Sequence, residues 1–396
     1  MDVSAAKARI QADVDALGPK LIETSHQIHL SPELYFQEHR AVELLCDVLI
    51  NEGLSVERPV FGLETGFVAR VGTGTGPTVA VLCEYDALPE LGHACGHNII
   101  AAAGLGAGIA AARLATDAGG KLLIMGTPAE EFGGGKVVMA NAGAFEGVDA
   151  AMMIHPSDEE TAEHLTLAIA SWEVTYRGAA AHASVSPWQG RNALDAAVFG
   201  YNAIAALRQH IRPTERIHGV FKKAGEQPNI VPEISIAEWW IRSDTSESLQ
   251  ALNERVMQCL QAGALAAGCE MEHAVTCPDY YDMRTNAPLA EMYISNMEAL
   301  GRQVGHADPA HGLGSTDMGN VSQLVPAIHP MIKISPPGIR IHTREFADWA
   351  RGPAGDRAIL DGAKALAMTI ADLWLRPDAL PRVRDAFANM PRSTSP

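Results

Sequence analysis

Three apolar runs constrain this chain most, because each ends abruptly in residues that carry chemistry. They are "TVAVLCEYDAL" from Thr78, "KLLIMGTPAEE" from Lys121 and "VDAAMMIHP" from Val148. A continuous apolar run of this length, without alternation, reads as a strand covered on both faces. Between the first two lies an uncharged Gly/Ala-rich stretch, from about 98 to 115, that reads as a buried helix. "GKVVMANAGAFEG" reads as a further helix before the third run. Strands alternating with helices predict an α/β fold with a mostly parallel sheet flanked by helices. Ligands in such folds gather at the carboxyl ends of the strands. Asp86, Glu130, Glu131 and His155 should therefore converge on one cleft, with Cys95 and His97 opening the helix beside them.

Helical patterns fill residues from about 4 to 52, ending at Gly53 after "RAVELLCDVLINEG". Near residue 166 the pattern changes. "LTLAIASWEVTYRG" alternates like a half-buried strand, and it opens a strand-helix-strand-strand-helix-strand series closing with "CEMEHAVTC". That order predicts a ferredoxin-like α+β domain over about 168–280, inserted into a first domain made of 1–167 and 281–396. The tail from Arg382 is polar and is expected to be loose.

The formal net charge of -17 sets up a field that repels polyphosphates, which argues against a nucleic-acid partner. The longest uncharged run, between Asn98 and Arg113, is shorter than the ~20 residues of a membrane span. The amino-terminal segment has neither the basic start nor the apolar core of a secretory signal. Six cysteines scattered over 396 residues make no disulfide framework and suit a reducing cytoplasm.

The strand-end cluster admits three readings. The first is a metal site. Cys95 and His97 lie two residues apart and can face one ion in a tight turn. Glu130 and Glu131 point oppositely in extended chain, so one can bind metal while the other handles protons. His342, in "RIHTREF", is a further candidate from a distant segment. The second reading is structural packing of buried histidines. The third is a cysteine nucleophile paired with a histidine, which leaves the two glutamates and His155 without a role. His93 is set aside as a turn or supporting residue. "GGGK" after the glutamates lacks the spacing and hydroxyl of a phosphate-binding loop.

"CEYDALPELGHACGHN", "TPAEEFGGGK", "MMIHP", "YRGAAAHAS", "NIVP", "GSTDMGN" and "IHTREF" occur in order across nearly the whole chain. Together they resemble the M20 family of metallopeptidases and amidohydrolases. The branch is the aminoacylase- and hippurate-hydrolase-like one, and the wording is nearest to its Xaa-Arg or β-alanyl-lysine dipeptidases and aminobenzoyl-glutamate hydrolases. The resemblance implies a catalytic domain interrupted by a lid domain that usually forms a homodimer. It implies two divalent ions per protomer, with Cys95 bridging and His97, Glu131, His155 and His342 completing the ligands. Glu130 would be the general base, and Asp86 the carboxylate supporting a ligand. His182 would stabilise the oxyanion from the lid, often across the dimer, and Asn229 would contact substrate. The "GSTDMGN" loop would line the substrate cleft. Glu84 and Asn98 depart from the aspartates usual in the branch. A thiolate bridge leaves Mn, Zn, Co and Ni all open as the metal.

The expected activity is hydrolysis of one amide bond in a small dipeptide or N-acyl amino acid. Two rivals stand beside it: a non-catalytic small-molecule binding protein on the same fold, and a hydrolytic deaminase.

Overall fold

A computed structural model describes residues 1–308 and 314–390. The chain divides into two compact units, one built from Met1–Leu165 and the segment from Met283 onward, the other from Thr166–Asp282.

The first unit is organised by a six-stranded sheet. Its order is Val56–Glu57, Phe67–Val71, Lys121–Gly126, Thr78–Cys83, Ala150–Met152 and Ala327–Ile328. The last four strands are parallel to one another, and the first two join antiparallel at one edge. Every residue of Thr78–Cys83 is buried, as its unbroken apolar run requires. A small parallel pair, His155–Ser157 with Met331–Lys333, continues the third apolar run.

Helix His97–Ala118 lies against the sheet. It is long and apolar enough to cross a membrane by composition alone, but here it is the central helix of the unit and mostly buried. Its small residues allow very close approach. A Cβ added to Gly104 would sit 2.5 Å from the Leu82 carbonyl oxygen and 2.8 Å from Cys83 Sγ. Helices Val3–Leu30 and Pro353–Leu375 pack against it from the far side through residues such as Leu21, Ala363 and Leu366. The polar tail differs from expectation. Ala379–Asn389 is a helix, because Ala379 and Val383, one turn apart, are both buried and the Val383 carbonyl accepts from Asn286 Nδ2 at 2.9 Å. Residues beyond 390 lie outside the described ones.

The second unit is an antiparallel four-stranded sheet, ordered Glu270–Tyr280, Ala168–Arg177, Ile234–Ser243 and Arg216–Lys223. Helices Ala193–Leu207 and Ser246–Ala267 pack together and against it. In Ile234–Ser243 every second residue is buried (Ser235, Ala237, Trp239, Ile241 and Ser243), the signature of a strand with one covered face. This unit has its own apolar core.

Candidate metal centre

Three strand ends and one helix start build the centre, all within the first unit. Thr78–Cys83 runs into the buried Glu84, Tyr85 and Asp86. Lys121–Gly126 runs through Thr127 and Pro128 to Ala129, Glu130 and Glu131. Ala150–Met152 leads to His155. The His97–Ala118 helix begins immediately after Cys95 and Gly96.

Asp86 organises two of these pieces at once. One oxygen meets His97 Nδ1 at 3.0 Å, and the other accepts from the Glu131 backbone N–H at 2.9 Å. The imidazole is thereby turned so that Nε2 points into the centre. There Nε2 has no hydrogen-bond partner, and it lies 3.6 Å from Glu84, 3.9 Å from Glu130 and 3.9 Å from Glu131. His155 is oriented in the same manner. Its Nδ1 sits 2.7 Å from the Pro156 carbonyl oxygen, so that nitrogen carries the proton, and the Nε2 lone pair faces Cys95 Sγ at 3.4 Å. His342 Nε2 reaches Glu131 Oε2 at 3.5 Å. It is held there by a left-handed backbone (φ 64°) and by its N–H bond to the Ala94 carbonyl.

Two ligand triads therefore overlap. Cys95, His97 and His155 bring one donor atom each within 4.8 Å of one another, and so do Cys95, Glu131 and His342. Cys95 belongs to both. His97, Glu130 and Glu131 form a third such group.

The electrostatics leave this cluster short of positive charge. Burial, then the carboxylates of Glu84, Glu131 and Asp317, push the Glu130 carboxyl well above its usual range. Burial, with Asp86 and Glu84 nearby, pushes Glu131 up to about 7. Burial and Glu131 raise the Cys95 thiol. Burial opposes charge on His97, but Asp86 overrides it and holds the imidazole well above its ordinary value. His155 is kept neutral by burial and by His164 and His97. Unpaired buried donor atoms, soft and hard ligands together, and surplus buried acid are what a divalent cation would satisfy. The residues present fit a metal.

A fourth convergence has a different resolution. Glu84, Glu130 and Asp317 also place oxygens within 4.8 Å of one another. Here the cation is a side chain. Lys136 Nζ, fully buried, donates to Glu84 and, at 2.7 Å, to Asp317 Oδ1, while its own backbone N–H donates to Asp317 Oδ2 at 2.9 Å. In the sequence "GGGK" shows only that it is not a phosphate-binding loop, and "GSTDMGN" resembles a cleft-lining loop, so neither announces this cage. The available signal was a lysine opening an otherwise apolar helix.

His93, buried beside the centre, has neither ring nitrogen hydrogen-bonded and belongs to none of the ligand groups. His182 and Asn229 belong to the second unit, where they share one short antiparallel segment. His182 bridges to Ile230, and the Ala183 N–H donates to the Asn229 carbonyl at 3.0 Å. Asn229 and His182 are both exposed.

The model of peptidase family M20/M25/M40 matches residues 80–372. The chain is 40% identical to a mouse Xaa-Arg dipeptidase over 96% of its length and 92% of that protein, and 37% identical to the human one with the same coverage. It is 31% identical to a p-aminobenzoyl-glutamate hydrolase chain of Escherichia coli, over 69% of this protein and 61% of that one. Among solved structures, an aminobenzoyl-glutamate utilization protein from Klebsiella pneumoniae superimposes with a TM-score of 0.70 at 20% identity, covering 91% of this chain and 96% of that one. A dinuclear metal-binding M20 peptidase from Bacillus subtilis does so with a TM-score of 0.63 at 20% identity, covering 88% and 98%. With these matches and its cluster of ligand-bearing strand ends, the chain is a hydrolase of the M20 peptidase family.

Proposed function

We propose that this protein is a two-metal amidohydrolase whose first substrate to test is a dipeptide with a cationic carboxyl-terminal residue. The observation that carries the reading is the sharing of Cys95 by two ligand triads, with Glu130 beside them. The dipeptide preference is supported by the Xaa-Arg dipeptidases among the relatives, and by a net charge of -17 that attracts a cation.

Cys95, His97, Glu131, His155 and His342 would hold the two ions, with Cys95 between them. When bound, the ions supply a Lewis acid for the amide carbonyl and make water acidic enough to be deprotonated near neutral pH. Glu130 takes the proton from the attacking water and returns it to the leaving amine nitrogen. Asp86 and the Pro156 carbonyl keep His97 and His155 turned toward the ligand side. The second unit serves as a ferredoxin-like lid, with His182 as oxyanion donor and Asn229 as substrate contact. Its exposed Phe199, Tyr201, Val220 and Phe221 support a homodimer formed through this unit. Six free thiols support a reducing, cytoplasmic setting.

The test is release of free amino acid from a panel of dipeptides and N-acyl amino acids by Mn- and Zn-loaded protein, with and without chelator. Hydrolysis that chelation abolishes and metal restores is expected, highest on dipeptides ending in Arg or Lys. Activity that survives chelation would instead indicate a cysteine nucleophile. Ammonia release without a new amino acid would indicate a deaminase. Absence of turnover on every amide would leave a binding protein.

A further inference from the structure

The residue immediately before Glu130 has a backbone that its side chain disfavours. Ala129 has φ 61°, one of five non-glycine residues with positive φ among those described. For an L-residue other than glycine this conformation is unfavourable, so the surroundings must enforce it. The chain's own loop supplies part of the restraint: the Ala129 carbonyl accepts from the N–H groups of Gly134 and Gly135 at 3.0 and 3.3 Å.

The rest comes from Glu38, 91 residues away and fully buried. Its Oε1 accepts from the Ala129 N–H at 2.9 Å. The same oxygen accepts from the N–H of Phe36, itself left-handed at φ 58°. The other oxygen accepts from Thr65 Oγ1 at 2.8 Å, which fixes the carboxyl plane. Phe36 then closes the loop from outside. A Cβ on Gly133 would lie 2.5 Å from the Phe36 ring, and Gly133 has φ 116°. One carboxyl group thus locks two strained backbones, and the one at Ala129 aims the glutamate that follows it.

We propose that Glu38 is a positioning residue for Glu130, acting through the Ala129 N–H to hold the left-handed turn that directs the Glu130 carboxylate. Residue 38 lies outside the segment 80–372 matched by the family model. The proposal rests on Glu130 being the base, and its test separates the two ideas.

Full-length Glu38→Ala, Glu38→Met (an apolar isostere) and Glu38→Gln are compared with the natural protein after Mn loading. Kinetics, bound metal and crystal structures are read for each. An aim error of about 1 Å costs up to ~100-fold in rate, so Glu38→Ala and Glu38→Met are expected to lower kcat about 10- to 100-fold. KM should stay within about twofold, because substrate binding is not touched, and metal content should not change. Glu38→Gln keeps an oxygen facing both N–H groups and should stay within about threefold of the natural kcat. In the crystals, Ala129 should leave positive φ and the Glu130 carboxylate should shift in the Ala and Met variants only. The proposal is overturned if Ala129 and Glu130 are unmoved in a folded Ala or Met variant. It is also overturned if kcat is unchanged there, if Glu38→Gln is as impaired as Glu38→Ala, or if neither the Ala nor the Met variant folds, since Glu38 would then be a folding residue first. If the natural protein turns over no substrate, the proposed activity fails while the crystallographic comparison still decides the positioning.

Discussion

Two neighbouring clusters in the first unit gather buried acids around one point, and they balance the charge differently. In the Glu84–Glu130–Asp317 cage the cation is covalent: Lys136 donates into it and is fully buried. In the Cys95-centred cluster no side-chain ammonium enters among the described residues. His97 Nε2 and Glu131 Oε1 are left without hydrogen bonds, as is Glu84 Oε2, the cage oxygen that lies on this side, 3.6 Å from His97 Nε2. A cage completed by its own lysine is permanent structure. A cage with unpaired donor atoms is a place for an exchangeable cation. Glu130 belongs to ligand-distance groups on both sides. It sits where a fixed framework meets a replaceable charge, a suitable place for a group that must move a proton without moving itself.

The largest expected effect follows from that boundary position. Glu130→Gln should lower kcat by about 10²–10⁴-fold, the usual worth of a general base, with bound metal unchanged by elemental analysis. If metal is lost along with activity, Glu130 is a ligand, and the division between the two clusters fails. Next comes Lys136→Met. Removing one partner of a buried ion pair typically costs about 3–5 kcal/mol, because the charge left behind has no solvent. Urea unfolding should show a loss of about that size with and without metal. Equal stability of variant and natural protein would mean that the cage carries no net charge to balance.

The strand ends, and the side chains the fold gathers at them, were legible because their signals are local. An unbroken apolar run followed by "EYD", "PAEE" or "HP" announces both a buried strand and what it presents. The lysine cage was not, because its pairs span 52 and 181 residues and only the fold brings them together. Glu38 was hidden for a different reason. It acts on backbone N–H groups, which every residue except proline has, so no partner side chain marks the pairing in sequence. The tail misled because Arg382, Arg384 and Asp385 outnumber the buried stripe of Ala379 and Val383, and a two-residue stripe is easily lost among charges.

A smaller effect should appear in the pH dependence of stability. Burial, and then Asp86, push the Glu38 carboxyl from 4.5 up to about 7. Folding therefore takes up a proton at this site between those values. The stability it contributes is complete below about pH 4.5 and is lost as pH rises through about 7, a change on the order of 3 kcal/mol. Glu38→Gln cannot titrate, so the difference in unfolding free energy between it and the natural protein should change over that window and be flat outside it. A constant difference from pH 4 to 8 would show that Glu38 keeps an ordinary carboxyl.

The smallest effect tests the comparison most directly, because its sign should differ between the clusters. In the chelated protein Glu131 is a buried acid whose carboxyl is pushed to about 7, so above that pH its charge is borne at a cost. Glu131→Gln relieves that cost but also removes an attraction to His97, so the gain should be modest, about 1 kcal/mol at pH 8. Lys136→Met in the same chelated protein should lose stability. Adding Mn should reverse the order for residue 131 alone: the natural protein gains from binding, and the Gln variant, with a neutral amide in place of a ligand, gains less. Thermal unfolding of the three proteins with chelator and with Mn reads this directly. If Glu131→Gln is destabilising in chelator as well, its carboxylate is already balanced by the protein. The Cys95 cluster would then be a self-neutralised core like the lysine cage, not a seat for metal.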